Sequence, residues 1–261
     1  MQRRQLVALG LAALALAPLA APAQTALDEV MAKKAITIAI PTDFPPYGFV
    51  GTDLKPQGLD VDVANLIGSK LGVKVELLPV TSANRIPYLQ TRKAQLVIST
   101  LGKNPEREKV IDFTAAYSPF FQAVFAARSL PVKSFADLAD KSVGVTRGAI
   151  EDMELTRLAP PKADIKRFED NNATVSAFVS GQVQVIATGA SVAGNMMQRN
   201  PQLGAEFKLL IKDSPNFIGV AKGEDKLRAK VNEIIAAAKA AGELDALARK
   251  WLGRPAGDLP N

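Results

Sequence analysis

Short apolar runs alternate with stretches of helical periodicity from about residue 35 to the end of the chain. Runs rich in Val, Ile, Leu and Ala at 35–40, 73–79, 95–99, 142–145, 165–168, 184–187 and 207–211 predict buried strands. Between them the pattern predicts helices over 59–71, 85–91, 150–158, 172–179 and 192–199, with two more at 225–241 and 243–251. The 59–71 segment puts Val63, Leu66 and Ile67 on one face, the i, i+3, i+4 spacing of a buried stripe. Strands alternating with helices predict an α/β protein with parallel sheets and right-handed crossovers.

Two stretches break the alternation. Residues 118–127 (SPFFQAVFAA) and 213–222 (DSPNFIGVAK) each carry proline punctuation followed by an extended apolar run, the look of a passage between two domains. If both cross, 24–120 plus 219–261 form one lobe and 121–218 the other, each on the order of 100 residues.

The start of the chain has a different pattern. Arg3 and Arg4 precede an apolar run over 6–17, then Pro18 and the small residues Ala21, Pro22 and Ala23. This predicts a cleavable secretory leader over 1–23 and a periplasmic mature protein. Pro18, Pro22 and the alanine-heavy composition argue against a membrane anchor, and the twin-arginine pattern is met only in part.

Composition matters mainly through what it lacks. The hydrophobic share of 48% and charged share of 22% are those of an ordinary globular chain. Without the two leader arginines, 30 basic residues face 26 acidic ones, scattered rather than clustered, so no nucleic-acid interface is expected. There is no cysteine and no histidine. That removes disulfides, thiol catalysis, Ser-His-Asp chemistry and the usual zinc sites, and no cofactor or metal is expected. No P-loop, GxGxxG or GxSxG occurs; 189–194 (GASVAG) has the wrong spacing for a nucleophile elbow.

The candidate chemistry lies just past the strand ends, where ligands bind in open α/β sheets. Asn104 is a good helix cap and Pro105 a good first helical residue, so a short helix carries Arg107 there. Its planar fork suits a carboxylate, with backbone N–H groups near Thr100 and Gly102 converging on the same anion; the alternative is a surface arginine on a helix face. The stiff loop 41–47 (PTDFPPY) offers Phe44 and Tyr47, either as an aromatic wall or as plugs in the lobe's own core. Arg85 sits at a helix start, free to hold a second acidic group or to pair with a protein acid. In the second lobe, Gly148 precedes a helix N-terminus suited to anions, although Glu151 and Asp152 in its first turn compensate the dipole already.

These residues resemble the extracellular solute-binding proteins of family 3, the polar amino-acid receptors of ABC importers. The likeness runs through 58–62 (GLDVD), 84–87 (NRIP), 105–107 (PER), 110–113 (VIDF), Tyr117, 143–145 (VGV), Gly148 and 250–253 (KWLG). It implies a two-lobed periplasmic-binding-protein type II fold, with two mixed, mostly parallel sheets joined by two hinge strands. One small carboxylate or amino acid would lie in the cleft of a monomeric receptor, for delivery to an inner-membrane ABC permease. Carried over, Arg107 matches the arginine that holds the α-carboxylate, Thr100 and Gly102 flank it, and Phe44 covers the ligand. Ser82 and Arg85 match positions that hold a side-chain carboxylate, and the turn Gly148–Ile150 closes from the other lobe.

Departures from the family pattern matter too. The aspartate that usually meets the ligand's ammonium is replaced by Gly189, the earlier family aspartate by Gln184, and the Gly-Thr-Thr-like turn reads Gly148, Ala149, Ile150. The expected ligand is therefore a carboxylate without a free α-ammonium, or one whose ammonium is met elsewhere. Two rivals stand beside the importer receptor. One is an enzyme on the same scaffold, a dehydratase of a cyclic carboxylate with Glu151, Asp152 or Asp170 as general acid; the other is a receptor feeding a membrane sensor.

Overall fold

Two five-stranded sheets, each covered by helices, take up most of the apolar runs. The computed structural model describes residues 25–260, so the leader expected over 1–23 lies outside the described residues. The strands are β1 (Ala35–Ile40), β2 (Asp43–Phe44), β3 (Gly48–Val50), β4 (Pro56–Gln57), β5 (Lys74–Pro79), β6 (Leu96–Gly102), β7 (Ile111–Ser118), β8 (Phe121–Ala127), β9 (Ser142–Thr146), β10 (Asp164–Phe168), β11 (Val185–Gly189), β12 (Ala205–Asp213) and β13 (Asn216–Ala221). The helices are α1 (Ala26–Lys33), α2 (Leu59–Leu71), α3 (Arg85–Gln90), α4 (Pro105–Glu108), α5 (Ile150–Leu158), α6 (Asn171–Val179), α7 (Ala190–Arg199), α8 (Asp225–Ala240) and α9 (Glu243–Leu252).

The first sheet has the order β5-β1-β6-β13-β7 and the second β10-β9-β11-β8-β12. In each, four strands point the same way and one is reversed: β13 runs antiparallel to both its neighbours, and so does β8. The two reversed strands have one origin. β7 ends at Ser118 in the first sheet and β8 begins at Phe121 in the second, while β12 ends at Asp213 and β13 begins at Asn216 back in the first. A chain that passes straight from one sheet to the other enters the second against the prevailing direction.

Side-chain alternation builds the second lobe. Along β8, Val124 and Ala126 face one core with Val143, Val185 and Leu155, whereas Ala123 and Phe125 face another with Ile186, Phe178 and Met196. This is the period of two expected of a strand buried on both faces. The first lobe gathers a larger core from Ile36, Ile38, Leu96 and Ile98, packed under α2, α8 and α9 through Ile67, Val231 and Leu244.

One strand departs from its predicted length in a way that matters. The apolar run at 95–99 continues as β6 through Gly102, because Leu101 and Gly102 pair with Phe217 and Asn216 of β13. Between that pairing and the next, Val97 with Gly219, three residues of β6 face one of β13. The bulge re-aims the chain at Ser99 and Thr100, the usual effect of extra residues on one side of a ladder. A small sheet of β2, β3 and β4 and the helix α1, neither expected from the pattern, complete the first lobe.

Close packing of α2 on β5 depends on Gly68, where an added Cβ would lie 2.1 Å from Val75 Cγ2. Helix propensity alone favours alanine at a mid-helix glycine by about 1 kcal/mol. Overpacking is expected to outweigh it, so Gly68→Ala should lower stability by about 1–3 kcal/mol in urea denaturation.

Candidate functional site

The site begins with a carboxylate engaged by the protein's own donors. Asp60, in the first turn of α2, is fully buried. Its Oδ2 accepts the backbone N–H of Thr100 at 2.9 Å and its Oδ1 the hydroxyl of Tyr117 at 2.7 Å. Burial pushes its pKa up to about 6, against these two donors and the nearby Arg85, which favour the charged form. Thr100 is held in the bulge with φ of 43°, a left-handed conformation that a β-branched residue adopts only under constraint. Its hydroxyl then accepts from Arg85 Nη2 at 3.1 Å, while Arg85 Nε donates to Ser99 Oγ at 3.1 Å. α2, the bulge and the guanidinium of Arg85 thus form one connected unit.

Arg107 occupies the gap itself. Asn104 caps α4 by accepting the Arg107 N–H at 2.9 Å, as its residue type predicts. The guanidinium donates to the Gly102 carbonyl at 2.7 Å in its own lobe and to the Gly148 carbonyl at 2.9 Å across the gap. Gly148 has φ of 72°, and a Cβ there would meet Ala83 Cα of the first lobe at 2.9 Å, so only glycine allows this approach. The Gly148 N–H is taken by Asp152 Oδ2 at 3.0 Å, which leaves the turn committed to the protein rather than to an outside anion. A second latch joins the lobes where Asp43 Oδ2 accepts the backbone N–H of Asn171 at 2.7 Å and its side-chain amide at 3.0 Å.

Between these latches lies a tight cavity with room for little more than a water molecule. Phe44, Ser82, Arg85 and Thr100 line it from the first lobe, Phe120 from the crossing, and Ala149, Ile150, Glu151 and Asn171 from the second. The structure therefore brings together Phe44, Ser82, Arg85, Thr100 and Ile150 of the residues expected from the sequence. Gly102, Arg107 and Gly148 sit one step away, bonded to each other. Gly189 is set apart: a Cβ there would lie 2.2 Å from Phe120 Cζ, so the phenyl ring fills the space a longer residue would need. Tyr47 is a core plug, edge-on to Phe120 at 5.3 Å and bonded through its hydroxyl to the Pro119 carbonyl at 3.1 Å.

Phe120, Asn171, Asp60 and Glu151 complete the arrangement. Of the three acids considered for catalysis, Asp152 is tied to Gly148 and Arg167, and Asp170 caps α6 through the Ala173 N–H. Only Glu151 reaches the cavity. Burial pushes its carboxyl up to about 7, countered by its own backbone N–H and by Arg85 and Arg107. Burial in turn pushes both guanidiniums down from their ordinary value. Among the described residues, none of these three charged groups enters an ion pair within 4 Å. The Ser82 Oγ is also buried without a protein partner.

Residues 36–254 match the family model of bacterial extracellular solute-binding proteins, family 3. The chain belongs to this family. It is 25% identical over 229 residues to the L-cystine-binding protein TcyJ of Escherichia coli strain K12, covering 87% of this chain and 86% of that one. A solved ancestral arginine-binding protein bound to arginine superposes with a TM-score of 0.80 at 31% identity, covering 84% of this chain and 99% of the other. The ancestral amino acid-binding protein AncCDT-1, a precursor of cyclohexadienyl dehydratase, gives 0.78 at 30% identity, covering 86% and 98%. The fold is the two-lobed type II periplasmic-binding-protein fold. No helix among the described residues is long and apolar enough to cross a membrane.

Glu151 gives this family member a pH signature. The folded protein holds the Glu151 proton up to about pH 7, whereas the unfolded chain releases it near 4.5. Between those values the folded state binds more protons, so stability falls as pH rises. Glu151→Gln removes this dependence. Its stability relative to the wild type should climb by at most about 3 kcal/mol between pH 4.5 and 7.5, read from denaturant melts at constant ionic strength.

Proposed function

We propose that this chain is the solute receptor of an ABC importer, exported by a leader over 1–23 to the periplasm, where it works as a monomer and hands its ligand to a membrane permease. The ligand is an amino acid or related small carboxylate held between the lobes 24–120 plus 219–261 and 121–218. One observation carries this reading. Two guanidiniums, Arg85 and Arg107, are 3% and 5% exposed at the junction of the lobes, and among the described residues no acid lies within ion-pair distance of either. Two buried cations without a counter-ion are costly, and a ligand carboxylate is the natural group to offset that cost.

The tightness of the cavity fits a receptor seen shut. A ligand enters only with the latches Arg107–Gly148 and Asp43–Asn171 broken, and the lobes then close on it less fully than they do here, where the space holds little more than a water molecule. Closure shifts only if the ligand contacts both lobes, and the mixed ancestry of the cavity walls supplies that condition. Phe44, Ser82, Thr100 and Ile150 shape the pocket, and Gly102 and Gly148 hold Arg107 between the lobes. Named relatives that bind cystine and arginine support the amino-acid reading.

A second reading has a specific observation in its favour. A carboxyl with its pKa near 7 in a closed cavity is suited to general acid catalysis, and Glu151 is such a group. The likeness to a precursor of cyclohexadienyl dehydratase points the same way. Incubating the protein with a cyclohexadienyl carboxylate and following aromatisation by absorbance separates the two; the receptor reading expects no turnover.

The receptor reading is tested at the arginines. Arg107→Ala and Arg85→Ala should each weaken carboxylate binding at least about tenfold, while circular dichroism shows the fold intact. Calorimetric titration with a panel of amino acids is the measurement, and unchanged affinity in both variants would remove the site.

A further inference from the structure

We infer that Glu151 receives the positive end of the solute, so that the receptor selects zwitterions, gripping the carboxylate from the first lobe and the ammonium from the second. This rests on the reading of the cavity as a carboxylate site.

The other acids near the cavity are already engaged by the protein. Asp60 lies behind the wall with its two oxygens occupied by Thr100 and Tyr117. Asp43 is committed to Asn171, and Asp152 to Gly148 and Arg167. Position 189 offers nothing, because Phe120 fills the space beside it. Glu151 is the one carboxylate among the residues that line the cavity.

Glu151 is 3% exposed and, among the described residues, has no ion pair within 4 Å. A buried carboxylate left unpaired is unfavourable unless it is protonated or meets a cation. Arg85 and Arg107 face it from the first lobe and Asp152 stands beside it on its own helix, so its charge responds to what enters the gap. An ammonium would favour the ionised form; a second carboxylate would favour the protonated one.

Arg85 and Arg107 belong to α3 and α4 of the first lobe, and Glu151 to α5 of the second. A molecule with its two charges at opposite ends bonds both lobes at once, which is what a closure equilibrium needs. A simple carboxylate would engage only the arginines. The buried, unpartnered Ser82 Oγ adds a polar group to the same space.

The experiment compares charge forms of one ligand. The standard L-amino acids and their des-amino acids are screened by thermal shift. Each pair giving a shift is then titrated calorimetrically at pH 7.5 against the wild type, Glu151→Gln and Glu151→Asp. Expected is a wild-type preference for the amino acid of at least about thirtyfold, which falls below about threefold in Glu151→Gln and partly returns in Glu151→Asp. A readout on the wild type alone accompanies it: at pH 6.5 the amino acid should drive proton release, seen as a dependence of heat on buffer ionisation enthalpy. Equal binding of des-amino and amino forms by the wild type, or an unchanged preference in Glu151→Gln, overturns the role of Glu151 and leaves the carboxylate site standing. If neither form binds, the carboxylate site itself falls, and this inference with it.

Discussion

The bond from the Thr100 N–H to the Asp60 carboxylate is the constraint on which the site depends. A threonine in a left-handed conformation inside a strand is unfavourable on its own, and the bulge persists because a buried acid holds its backbone from behind. The same acid is fixed by Tyr117, and the threonine hydroxyl so presented receives Arg85. Helix start, strand irregularity and guanidinium therefore share a single geometry. Loosening any one of them would let the cationic wall of the cavity wander, and preorganisation of that wall is what limits the entropy lost on binding.

Between the lobes the same economy appears in reverse. Each side leaves something undone that the other completes: Arg107 needs the Gly148 carbonyl, the N-terminus of α6 needs Asp43, and Gly148 must lack a side chain for Ala83 to approach. These latches are a few directional bonds and one close backbone approach, set beside the apolar packing of Val175 and Val192 of the second lobe against the first-lobe core. That suits a protein that must open again.

Legibility in the sequence followed the range of the interactions. The spans of α2 and α5 were readable because a helix carries its own periodicity and its own caps. Arg107 and Arg85 stood out because Asn104, Pro105 and a helix start mark them locally. The extension of β6 through Gly102 was hidden, since it depends on pairing with β13 more than a hundred residues later, and a glycine after a strand ordinarily signals a turn. Glu151 gave the commonest of signals, an acid in the first turn of a helix, and only the opposing lobe turns it into a buried carboxyl without an ion-pair partner. Phe120 showed itself as part of a crossing but not as the ring that occupies the place beside Gly189. Asp60 sat within the family motif without any local hint of what it holds.

The reversed strands carry a consequence for movement. Both crossings deliver their chain to the interior of a sheet, β8 between β11 and β12 and β13 between β6 and β7, not to an edge. A pivot clamped on both flanks by neighbouring strands cannot peel away when the halves swing. Between the sheets run only Pro119–Phe120 and Ser214–Pro215, two short spans tied to each other where the Ser214 N–H meets the Phe120 carbonyl at 3.1 Å. Any change of angle between the two plates would have to be taken up in this narrow double strap, and Phe120, whose ring lines the cavity, is mounted on it.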